Sequence, residues 1–111
     1  MALKKFTQEN GIRLLDFPEL DEIDELTALS TVKENFEKIS NVLPEFEMTI
    51  QAKEFGQKNK KGARKQYEVH CRIIAPRKKI VATATEWNFI SALQESCKSL
   101  KQEVLKASAK K

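Results

Sequence analysis

Catalytic equipment is scarce in this sequence. Its single histidine, His70, has no carboxylate and nucleophile at an evident spacing for acyl transfer. The 3 glycines, Gly11, Gly56 and Gly62, stand apart from one another, which excludes a glycine-rich phosphate loop. The 2 cysteines, Cys71 and Cys97, make neither a CxxC nor a metal-ligand spacing and are too few for a disulfide framework. Both fall at positions of apolar periodicity, where cysteine behaves as a small hydrophobe, so buried free thiols in a reducing compartment are expected. No apolar run approaches the roughly 18–20 residues that span a bilayer. The opening MALKKFTQEN carries lysines without an apolar stretch behind them, unlike a secretory signal. The expected setting is the cytoplasm. Catalysis, a metal, a cofactor and a small-molecule substrate are not expected, and a binding module fits better.

Charge is plentiful and unevenly placed. From Met1 to Glu47 there are 5 Lys/Arg against 11 Asp/Glu, whereas from Met48 to Lys111 there are 15 against 5. The net charge of +4 therefore conceals an acidic first part and a strongly basic remainder, which suggests an anionic partner for the latter. The densest stretch is KNKKGARK at residues 58–65, with 5 basic side chains in 8 positions. Taken alone, such a run reads as a solvated loop as readily as a phosphate-binding one.

The 111 residues suit one domain, spanning 1–111 with flexible ends at 1–10 and 106–111. GIRLLDF, residues 11–17, is a weak first strand stopped by Pro18. The acidic DEIDE behind it favours a helix start, because carboxylates are stabilised near helix N-termini. Leu29, Val32, Phe36, Ile39 and Leu43 then repeat at 3 and 4, predicting a helix to about Leu43, before Pro44. Lys33, Glu34, Glu37 and Lys38 take its solvent side. Three alternating segments follow. Phe46, Met48, Ile50 and Ala52 point inward in the first, Tyr67, Val69, Cys71 and Ile73 in the second, and Ile80, Ala82 and Ala84 in the third. APRKK, residues 75–79, is the turn between the last two. Asn88 is placed to cap a final helix, in which Ile90, Leu93, Cys97, Leu100 and Val104 share a face.

The expected fold class is α+β: a single β-α-β-β-β-α domain with both helices on one face of a mostly antiparallel four-stranded sheet. The other face, with Glu47, Thr49, Gln51, Lys53, Glu68, His70, Arg72, Thr83 and Thr85, is polar and open. Candidate RNA-binding residues are Lys58, Lys60, Lys61, Arg64 and Lys65 in the first strand connection, and Arg72 on the open face. Arg77, Lys78 and Lys79 in the next turn join them, as do Lys98 and Lys101 on the exposed side of the last helix. The two strand connections lie at opposite ends of a meander, so an anion touching every group must be long, like a polynucleotide. Basic and aromatic residues are poorly interleaved, which points to recognition of phosphate and shape rather than of base sequence. Trp87 is expected to pack at the helix start.

The stretch IVATATEWNFISALQESCKSLKQEV, residues 80–104, together with the element order, resembles the ribosome hibernation-promoting factors of the short, ribosome-associated inhibitor type. Ala82, Thr83 and Ala84 match the family's small-residue strand, and Asn88, Phe89, Ile90, Ser91, Ala92 and Leu93 match the start of its helix without a gap. The resemblance implies a stress-response protein that binds ribosomal RNA of the small ribosomal subunit and inhibits translation on idle ribosomes. It also implies no cofactor and no catalysis. The family's last helix usually carries a lysine and an arginine where Ser99 and Gln102 stand here. Lys98 and Lys101 lie one residue earlier, about 100° round the helix. The acidic N-terminal third is atypical, and no C-terminal dimerisation domain is expected.

Two other classes compete. A double-stranded RNA-binding domain shares the α-β-β-β-α order, but its second helix starts with a basic cluster, and TEWNFISA has none. A protein-interaction domain using the acidic first helix is supported only by the charge of the first 47 residues.

Overall fold

The alternation of apolar side chains sets the sheet. In the computed structural model, which describes residues 2–57 and 64–109, the elements are α1 (Ala2–Glu9), β1 (Ile12–Leu15), α2 (Glu22–Ser40), β2 (Glu47–Gln57), β3 (Arg64–Ala75), β4 (Lys78–Glu86) and α3 (Phe89–Ala109). The sheet order is β1-β2-β3-β4, with β1 parallel to β2 and the remaining pairs antiparallel. The α+β class and mixed four-stranded sheet are as the sequence implies. Met48, Ile50, Ala52, Val69, Cys71, Ile73 and Ala82 are buried on one face, against Leu93, Cys97, Leu100 and Val104 of α3 and Val32 and Ile39 of α2. Burying that much apolar surface at about 25 cal/mol per Å² is the main force holding the layers together.

Local chemistry sets the helix ends. Asp21 caps α2, its Oδ1 accepting from the Asp24 N–H at 2.7 Å, with Glu22, Asp24 and Glu25 in the first turn. Such a cap contributes about 1 kcal/mol, and the carboxylates complement the positive end of the helix dipole. Asn88 caps α3, its Oδ1 accepting from the Ser91 N–H at 3.1 Å. Phe89 then sits between Phe17 and Tyr67, with ring centroids 5.1 and 6.0 Å away.

Four expectations are corrected. The first concerns residues 2–9, which form α1 rather than an irregular end. Leu3 is buried, Phe6 meets the Phe36 ring edge-on at 6.1 Å, and the Leu3 N–H donates to Glu25 Oε1 at 3.3 Å. Gly11, at φ +69°, provides the left-handed residue that turns the chain out of α1. The second concerns β1, which stops at Leu15 rather than at Pro18, because Asp16 takes φ +57°. The third concerns α2, which ends at Ser40, three residues before the expected limit. The Val42 and Leu43 N–H groups turn back onto the Ile39 carbonyl, so Leu43 is buried without being helical. The last concerns Trp87, which packs only in part and keeps 47% of its surface exposed.

Cys71 and Cys97 are buried free thiols, with Sγ atoms 4.0 Å apart and the Ser96 hydroxyl 3.3 Å from Cys71 Sγ. The contact with Cys71, and then burial, push the Cys97 thiol well above the ordinary range, so it is protonated and unreactive at neutral pH. A thiol reagent is expected to modify Cys97 only as fast as the domain opens, with reactivity rising through the unfolding transition. Rapid labelling under native conditions contradicts this packing.

Candidate nucleic-acid interface

The side chains that alternate away from the core make one candidate surface, the open sheet face. Register places Arg13, Thr49, Arg72 and Val81 in one row across four strands, and Leu15, Gln51, His70 and Thr83 in the next. Lys53, Glu68 and Thr85 form a third row, and Lys79 lies opposite Ile74 beyond the first. A shallow cleft of about 170 Å³ is lined by Thr49, Gln51, Lys53, His70, Arg72, Lys79 and Val81. Arg72 is the notable member, because its Nε is buried and has no hydrogen-bond partner in the protein. A guanidinium nitrogen so placed favours an acceptor arriving from outside.

This face is less uniformly polar than its alternation suggests. Leu15, Phe55, Ile74 and Val81 stand on it with 41–50% of their surface exposed, and Thr49 is nearly covered at 8%. His70 also has partners that sequence spacing did not reveal. Its Nε2 lies 2.5 Å from Glu68 Oε1 and its Nδ1 lies 3.1 Å from Thr83 Oγ1, while the Thr85 hydroxyl donates to Glu68 Oε2 at 3.5 Å. The carboxylate and hydroxyl expected to be missing from the histidine are therefore present. Thr83 and Thr85 are exposed on a flat strand rather than enclosed away from water, so the network is a cross-strand link between β3 and β4.

The helical layer holds a second basic group. Thr31, Glu34, Asn35 and Lys38 of α2, and Gln94, Cys97, Lys98 and Lys101 of α3, line a groove of about 220 Å³ between the helices. Both sets follow i, i+3, i+4, i+7, the spacing that keeps side chains on one strip of a helix. Lys98 is exposed and Lys101 is half-buried. The Lys38 ammonium donates to Glu34 Oε1 at 2.8 Å. That hydrogen bond holds Glu34 below, and Lys38 above, their ordinary ranges.

The predicted residues thus fall into separate places. Arg72 and Lys79 share the open-face cleft, while Lys98 and Lys101 share the interhelical groove, and the sheet lies between the two. Arg77 is exposed in the β3–β4 turn, whereas Lys78 points to the helical side and donates to the Ala107 carbonyl at 3.2 Å. Lys58, Lys60 and Lys61 lie outside the described residues. Arg64 and Lys65 open β3, paired with Gln57 and Gly56 at the end of the sheet away from Arg77. Sequence reasoning missed Arg13 and Lys38 as companions of these groups, and placed Lys53 on the open face without counting it among the binding residues. The signal for Arg13 was its parity in β1. For Lys38 it was its place beside the apolar stripe of α2.

Part of the acidic N-terminal third is accounted for within the fold. Asp21 caps α2, Glu25 receives the first turn of α1, Asp16 Oδ2 accepts from Gln51 Nε2 at 3.4 Å, and Glu34 holds Lys38. No helix among the described residues is long and apolar enough to cross a membrane.

No protein-family model and no curated protein matches the sequence. Among solved structures, the fold is similar to the N-terminal domain of Protein Y from Thermus thermophilus, at 8% identity and a TM-score of 0.57 over 86% of this chain and 93% of that one. It is also similar to a ribosomal subunit interface protein from Coxiella burnetii, at 16% identity and a TM-score of 0.54 over 89% of this chain and 98% of that one. At these identities the likeness is one of fold.

Proposed function

We propose that this chain is a ribosome-associated RNA-binding protein that binds ribosomal RNA of the small subunit and inhibits translation on idle ribosomes. The observation that carries the reading is a coincidence of two independent likenesses. Residues 80–104, which resemble the hibernation factors in sequence, are β4 and α3 here, and the fold around them is shared with a ribosomal subunit interface protein. Binding is through phosphate and shape. The contacts come from Lys58, Lys60 and Lys61 of the KNKKGARK stretch, Arg64 and Lys65 at the start of β3, Arg72 and Lys79 on the open face, Arg77 and Lys78 at the β3–β4 turn, and Lys98 and Lys101 on α3. Basic groups on both faces suit a protein wedged between RNA segments better than one laid along a single duplex.

Co-sedimentation with purified small subunits tests this. Saturation near one protein per particle is expected, resistant to excess duplex RNA. Equal competition by any duplex would mark a general double-stranded RNA binder, and absence of sedimentation at low salt would remove both readings.

A further inference from the structure

The groove between α2 and α3 contains a polar group that the protein leaves without a partner. Asn35 is only 5% exposed, and its Nδ2 is buried with no hydrogen-bond acceptor. Buried unpaired donors are rare, and an unfilled one on the wall of a groove calls for an acceptor supplied from outside. The rim beside it carries Lys38, Lys98 and Lys101 against the single carboxylate of Glu34. Lys38 holds that carboxylate at 2.8 Å and the Lys101 charge also acts on it, so three ammonium groups face one carboxylate and the groove keeps a net positive charge.

We propose that this groove is a docking site for one phosphate group, with Asn35 as the donor at its floor and Lys98 and Lys101 as its cationic rim. The charges match, two positive against one or two negative. The size matches as well, because about 220 Å³ falls below the roughly 300–1,000 Å³ of pockets that enclose a whole small molecule. The site admits one anionic group while the rest of its carrier stays outside. An inserted phosphate accepts from the Asn35 NH2 and from the two ammonium groups, all of them donors. Glu34 turns its charge toward Lys38 and so repels the anion less. The proposal deepens the reading above and rests on it for the RNA backbone as carrier, although free phosphate has the same chemistry.

Nuclear magnetic resonance on the intact 15N-labelled chain tests it. Inorganic phosphate is titrated against chloride at equal ionic strength, followed by a short oligoribonucleotide with and without a 5′-phosphate. The Asn35 side-chain amide signals are expected to shift saturably with phosphate and not with chloride. Asn35→Leu, which removes the orphan without adding charge, is expected to weaken binding at least about tenfold while the fold is kept. Lys98→Gln with Lys101→Gln is expected to do the same. A response to the oligonucleotide only when its 5′-phosphate is present assigns a terminal phosphate, and an equal response without it assigns the backbone diester. If phosphate leaves Asn35 unmoved, or Asn35→Leu binds as the native chain does, the groove is not the site. Co-sedimentation with small subunits fails or succeeds separately, so loss of the ribosomal reading and loss of the groove are told apart.

Discussion

Replacing Leu100 by alanine is expected to lower the free energy of unfolding by about 3 kcal/mol. Leu100 is fully buried on α3, in the same core as Val32 and Ile39 of α2 and Val69, Cys71 and Ile73 of β3. Truncation removes apolar burial and leaves a cavity, because helix and sheet cannot close around it without disturbing Leu93 and Val104 on the same helical face. Against a typical total of about 5–15 kcal/mol, that is a large share of the stability. With a urea slope of roughly 1–2 kcal/mol per M, the unfolding midpoint falls by about 1.5–3 M. Leu105 supplies the control on the same helix. It keeps 47% of its surface exposed, so Leu105→Ala should change stability by no more than about 0.5 kcal/mol. Equal losses at the two positions would falsify the orientation of α3.

Neutralising Lys58, Lys60, Lys61, Arg64 and Lys65 together should leave the circular dichroism spectrum and melting temperature unchanged while RNA binding collapses. Each phosphate contact contributes about 0.9 to the slope of log affinity against log salt on B-form duplex, so five contacts contribute a slope of about −4.5. The variant should lose that part of the slope and bind at least about 10²-fold more weakly near 0.15 M salt. Salt dependence is the decisive readout, because a fold defect lowers affinity without removing one defined part of the slope. An unchanged slope would show that KNKKGARK contacts no phosphate, and the groove and open face would then carry the binding alone.

Some of this was legible from single residues. The DEIDE stretch and Asn88 were recognisable as helix starts because the helix dipole and capping both act within the first turn. The apolar stripe of α3 and the inward sets of β2, β3 and β4 were legible because periods of 3.6 and 2 decide which side chains share a face. Helix α1 escaped because eight residues with Leu3 and Phe6 as their only large apolar side chains give no pattern strong enough to stand alone. Its stability comes from docking on Phe36 and Glu25. The partners of His70 escaped differently. Glu68 is two residues away and shares its face by alternation, but Thr83 reaches it only through the pairing of His70 with Thr83 across β3 and β4.

The sequence by itself determined the order of elements from β1 onward, the buried face of each of the three later strands, the free thiols and the concentration of positive charge after residue 47. All of these follow from local spacing and composition. Only the tertiary structure decided which charges stand together. It placed Lys38 and Asn35 beside Lys98 and Lys101, Arg13 in the row of Arg72, and Arg72 and Lys101 on opposite sides of the sheet. Those neighbours are dozens of residues apart in the chain. Their proximity depends on strand register and on how closely two helices pack, and no local period carries either quantity.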